Sequence, residues 1–151
     1  MNLAFPEFLL AGWQDNVRAE CGGVSTEDLP DATLALDSYA PSSEDRIKEL
    51  IPDWADLKTG KPTEFNRATI RHMAAKACDF LQVKINQSER IGGEYQYQLQ
   101  QIDWTQKKAN LMSACFYYLS LIDEDAVADM PYIEVIQRDP ATYQEFETEE
   151  T

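Results

Sequence analysis

A mainly α-helical fold, a small bundle built on two long antiparallel helices, is predicted by three features of the sequence. Apolar residues recur at helical spacing through Ile70, Met73, Ala74, Ala77, Leu81 and Ile85. They do so again through Leu111, Cys115, Tyr118 and Ile122, flanked by Met112, Phe116 and Leu119. Such stripes are the buried faces of amphipathic helices. Between them, Ile91-Gly92-Gly93-Glu94-Tyr95-Gln96-Tyr97-Gln98-Leu99 changes period. A glycine pair followed by Tyr95, Tyr97 and Leu99 at every second position reads as a β-hairpin or loop arm inserted between helices. An isolated arm cannot bury its own apolar face, so it needs its own helices or another chain.

The remaining elements follow in order. Pro6 to Glu20 carries Phe8, Leu9, Trp13 and Val17 at roughly helical spacing, weakened at Gly12 and stopped by Gly22-Gly23. Ser25 to Asp28 is an acidic cap region before a short helix with Leu29, Leu34, Leu36 and Tyr39. Pro41 to Asp45 starts another, with Ile47, Leu50 and Ile51 on its apolar face and Pro52 at its end. Asp53 to Lys61 reads as a loop anchored by Trp54 and Leu57. Thr63 and Asp103 are the expected caps of the two long helices. Leu111 to Ile122 is apolar nearly all round, which predicts burial on more than one side. The small residues Ala74, Ala77 and Cys78 allow a second helix to approach closely. Tyr132-Ile133-Glu134-Val135-Ile136 predicts a short C-terminal strand, and Phe146 to Thr151 an acidic tail. The chain thus divides into an N-terminal helical extension (1–23), a helical core (24–125) with the arm at 88–101, and a strand plus acidic tail (126–151).

The 151 residues fit one domain of modest core, with a net charge of −14. Nucleic-acid phosphates are bound by Lys and Arg that displace counterions, so the general surface is unsuited to that task. Charge is uneven: residues 61–90 carry +3 and the rest −17. Arg67 and Arg71 stand one turn apart, and His72 and Lys76 repeat that spacing beside them. A basic band on an acidic chain can meet acidic groups on a neighbouring copy, a heterologous association that closes into rings. The alternative for the band is a solvated helix face. Cys21, Cys78 and Cys115 are odd in number and lack close spacing, which argues against a disulfide framework or a zinc site and fits synthesis in a reducing cytosol. Cys78 and Cys115 fit the core as small hydrophobes. The N-terminal residues lack the basic region of a signal peptide, and no apolar run reaches membrane-spanning length, so no membrane association is expected.

No constellation points to catalysis, a cofactor or a metal. His72, the single histidine, has no sequence neighbour for a nucleophilic triad and reads as a surface residue beside the apolar stripe. Asp123 and Asp125 lack the glycine and later glutamate of a calcium loop. Gly92-Gly93 is not followed by the Lys-Ser/Thr of a phosphate loop. The expected functional residues are therefore interface residues: Arg67, Arg71, Lys76, Ile91, Gly92, Gly93, Tyr95, Tyr97, Tyr132, Ile133 and Val135. Tyrosines such as these are enriched at interfaces, whereas Tyr117 and Tyr118 fit the core better.

Four stretches taken together are familiar. Val24 to Asp31 precedes short helices, Asn66 to Leu81 is an alanine-rich helix, and Ser88 to Tyr97 is a loop before the closing helix Trp104 to Leu121. Over roughly Val24 to Ile122 this layout resembles the head–tail adaptors, or connector proteins, of tailed bacteriophages. The resemblance implies a structural virion protein, made in the host cytoplasm and placed in the neck. There a ring, dodecameric in the family, docks under the portal, receives the tail or next neck protein, and extends the DNA channel without holding DNA tightly. An acidic channel wall agrees with that role. Two other classes remain open. One is a small acidic interaction protein, such as a DNA mimic, favoured by the −17 outside the band. The other is an enzyme, which requires a convergent titratable cluster.

Overall fold

Helices dominate the computed structural model, which describes residues 6–87 and 102–127, and no strand occurs among these residues. The order is α1 (Trp13–Glu20), α2 (Asp31–Leu34), α3 (Ala40–Leu50), α4 (Trp54–Leu57), α5 (Pro62–Gln87) and α6 (Trp104–Ile122), closed by a 3₁₀ turn at Glu124–Val127. The expected arm at 88–101 and strand at 132–136 lie outside the described residues.

The two long helices form the principal contact and run antiparallel. Lys61, just before α5, donates to the Leu121 carbonyl near the end of α6, and Asp79 late in α5 pairs with Lys108 early in α6 at 2.8 Å. Asp103 caps α6 by accepting from the Gln106 N–H, as expected. Thr63 does not begin α5. Pro62 does, because its fixed φ and missing N–H suit a first helical position.

Two cores lie along the α5/α6 seam. The first packs Val17, Cys21, Leu29 and Leu34 against Ile70, Met73, Ala77, Cys78 and Leu81 of α5 and Trp104 and Leu111 of α6. The second packs Phe8, Ile47 and Ile51 against Phe65 and Ala68 of α5 and Cys115, Phe116, Leu119 and Ile122 of α6. Met112 touches both. The apolar breadth of α6 is explained by this sharing. The boundary expected at residue 23 divides no core, since Phe8, Val17 and Cys21 are fully part of these clusters.

Local chemistry corrects three shorter elements. Residues 6–12 are not helical; α1 starts at Trp13 because Gly12 takes φ 85°, a left-handed conformation that favours glycine. The helix expected around Leu29 to Tyr39 shrinks to the single turn α2, and Leu36 is exposed. The loop after Pro52 contains the turn α4, with Trp54 and Leu57 packed against the second core as anchors.

Buried charges fasten the irregular segments. Arg18, almost wholly buried, donates to the Leu29 carbonyl and pairs with Asp15 and Asp31, tying α1 to α2. Glu44, on α3, is buried and accepts the backbone N–H groups of Glu7, Phe8 and Leu9. Burial pushes its carboxyl pKa up, while those three donors pull against the shift. The clamp seats Phe8, which stacks on Phe65 with ring centroids 4.6 Å apart and meets Trp54 edge-on at 5.7 Å. Lys58 completes the attachment through an ion pair with Glu7. Glu44→Ala strands those N–H groups and is expected to cost on the order of 3 kcal/mol, with Glu44→Gln costing less because it keeps an acceptor. Chemical denaturation measures both, and fast hydrogen exchange at the amides of residues 7–9 in the Ala variant identifies the clamp as the cause.

Candidate functional site: a cationic strip over Tyr118

The basic band of residues 61–90 is mostly spent inside the molecule. Lys61 bonds the Leu121 carbonyl, Lys76 the Ser42 hydroxyl at 3.0 Å, and Lys84 the carbonyls of Glu27 and Asp28. Arg71 pairs with Glu20 of α1 at 3.0 Å. Arg67 is exposed, and among the described residues its guanidinium has no carboxylate or carbonyl partner. Lys76 does not join the two arginines. The five-residue step from Arg71 turns it well round the helix, toward α3.

What the band builds is a strip across α1, α5 and α6. The guanidinium carbons of Arg67 and Arg71 lie 5.7 and 4.9 Å from the Tyr118 ring centroid, within cation–π range. Tyr118 meets Tyr117 edge-on at 5.2 Å. Both tyrosines, expected in the core, are half-buried at its rim. Two open clefts flank the Glu20–Arg71 pair. One, of about 250 Å³, is lined by Lys107, Leu111, Ala114 and Tyr118; the other, of about 340 Å³, by Asn16, Thr63, Asn66 and Arg67. The strip therefore offers cations at both ends, a fixed carboxylate in the middle and an aromatic floor. That is chemistry for an acidic segment of a partner. Glu20, Lys107 and Tyr118 were missed in the sequence because Glu20 belongs to α1 and the other two to opposite ends of α6, and only the fold brings them beside the arginines of α5.

The hydrophobic end of α5 is a second exposed feature. Phe80 and Val83, one turn apart, are 37% and 55% exposed. Ile91, Gly92, Gly93, Tyr95, Tyr97, Tyr132, Ile133 and Val135 lie outside the described residues.

His72 is not the open surface residue expected. Its Nδ1 lies 2.9 Å from the Ser43 hydroxyl, a Ser–His pair on paper. Ser43 is fully buried, however, and the charged neighbours of the ring are Lys76 and Arg46. No carboxylate supports an imidazolium there, so the pair is a packing contact between α3 and α5 rather than a nucleophile and base. Among the described residues no three His, Cys, Asp or Glu side chains converge on a point that could hold a metal ion, and no helix is long and apolar enough to cross a membrane. The chain matches no protein-family model, no curated protein and no solved structure.

Burial, then Lys76 and Arg46, lowers the His72 pKa from 6.5 to about 4. The unfolded chain then binds a proton that the folded chain refuses. Stability is thus intact above the unfolded value and is lost as pH falls from 6.5 toward 4. The loss is at most roughly 3 kcal/mol. Urea denaturation between pH 7 and 4 should show this fall in the wild type and a flatter profile in His72→Gln.

Proposed function

We propose that the chain is an assembly subunit of a tailed-bacteriophage neck, a head–tail adaptor whose ring docks under the portal and carries the DNA channel toward the tail. The observation that supports this reading best is the separation of two unlike surfaces along one rigid helix. Arg67 and its cationic strip lie near the start of α5, and exposed Phe80 and Val83 lie near its far end. At 1.5 Å per residue, Arg67 and Val83 stand about 24 Å apart. Unlike patches at opposite ends of a rod suit head-to-tail contacts between copies, the kind that close into rings. In this reading the inserted arm at 88–101 and the strand at 132–136 add strand edges to the contact between copies or to the portal. The acidic remainder faces the channel and lets DNA slide.

The same acidic surface, net −14, favours a second reading: a monomeric module that occupies the basic face of a DNA-binding protein. Co-sedimentation with DNA-filled, tailless heads separates the two. The adaptor reading predicts that the wild type binds heads that carry portal and ignores free duplex DNA. Arg67→Glu should weaken that binding at least tenfold, and raised salt should mimic it for an exposed contact. Arg67 is the better residue to reverse because Arg71 already holds Glu20 within the fold. Wild-type protein that stays off the heads overturns the adaptor reading, and an Arg67→Glu protein that binds unimpaired removes the strip from it.

A further inference from the structure

Two cysteines far apart in sequence meet in the first core. Cys21 follows the last residue of α1, and its Sγ lies 3.7 Å from the carbonyl oxygen of Ala74, one helical turn before Cys78 on α5. In an α-helix that carbonyl is the acceptor of the Cys78 N–H, so the Cys21 thiol lies beside Cys78, and both cysteines are fully buried in the first core. Their proximity drives them apart in acidity: Cys78 alongside and burial raise Cys21, while Cys21 alongside lowers Cys78. Lys107 favours thiolate on either sulfur. Gly22, which follows Cys21, packs against Ile102 just before α6 and Lys107 in its first turn. A Cβ on Gly22 would stand 3.0 Å from Ile102 Cδ1 and 3.8 Å from Lys107 Cε. Cys115 lies in the second core, apart from this pair.

We propose that Cys21 and Cys78 form an oxidation site, at which hydrogen peroxide or another hydroperoxide makes an intramolecular disulfide that staples the end of α1 to α5. The Cys78 thiolate attacks one peroxide oxygen; an S–O bond forms, the O–O bond breaks, and hydroxide leaves as water once protonated. The Cys21 sulfur then attacks the sulfenic sulfur. The S–S bond forms, the S–O bond breaks, and the departing hydroxide takes the Cys21 proton. Two thiols have lost two electrons and two protons, and the peroxide has become two waters. Both thiols are buried, so oxidant reaches them only through local opening of the fold, and the rate follows that opening. In a reducing cytosol the thiols persist, and outside it the staple closes. The inference stands apart from the adaptor reading, since it needs only the monomer fold.

The test treats folded wild-type protein with hydrogen peroxide, alkylates it after unfolding, and maps its peptides. The expected product has lost about two mass units, joins the Cys21 and Cys78 peptides, and leaves Cys115 alkylated. Its Tm rises by about 5–15 °C and returns on reduction with dithiothreitol. Cys115→Ser keeps the response and Cys78→Ala abolishes it. The wild-type map decides the matter even if Cys78→Ala does not fold. Three free thiols after oxidation, a link through Cys115, or a link between chains overturns the proposal. A joined pair without a rise in Tm overturns the staple.

Discussion

The close antiparallel contact of α5 and α6 is the constraint from which the rest of the structure follows. It depends on small side chains: Ala74, Ala77 and Cys78 on one helix, Ala114 and Cys115 on the other, all buried. Small residues bring helix axes close, so larger neighbours such as Met73, Leu81, Phe116 and Leu119 interdigitate around the seam. An antiparallel pair has two ends that differ in composition. Each collects its own short helices, α1 and α2 at one, α3 and α4 at the other. Met112 stands between and couples them.

Charged groups then fix what hydrophobic burial alone leaves loose. Glu44 and Arg18 are both nearly inaccessible, yet each meets several partners, the condition under which a buried charge is tolerated. Both hold segments without regular structure, where backbone N–H and C=O groups lack partners of their own. The basic residues of α5, with Lys61 just before it, act in the same way, tying α1, α3, the 25–29 turn and the end of α6 to one helix. An acidic chain gains internal attachment points by concentrating cations on its central helix.

The long helices were legible because their period is repeated over many residues, and Asp103 announced itself as a cap. The short elements were less so. A turn of four residues such as α2 or α4 contains too little pattern to distinguish it from loop. The segment at Phe8 and Leu9 has helical spacing but is held out of a helix by Glu44, a partner more than thirty positions away, and no local pattern announces such a clamp. The arginines of the strip were visible in the sequence; their division from Lys76, and their company with Glu20, Lys107 and Tyr118, depend on which helix faces which. The approach of Cys21 to the Ala74–Cys78 turn of α5 is of the same kind, joining residues that no spacing rule connects.

Among the described residues, the strip at Arg67 and the apolar end at Phe80 and Val83 are open to a partner. The proposed role assigns both to contacts between neighbouring subunits. Electron cryomicroscopy of the assembled neck tests this most directly. The account predicts a closed ring on the portal in which each subunit shows the α5/α6 pair, with Arg67 of one copy beside carboxylates of the next or of the portal. A neck whose ring lacks this helical pair, or one in which Arg67 and Val83 both face solvent, would contradict it.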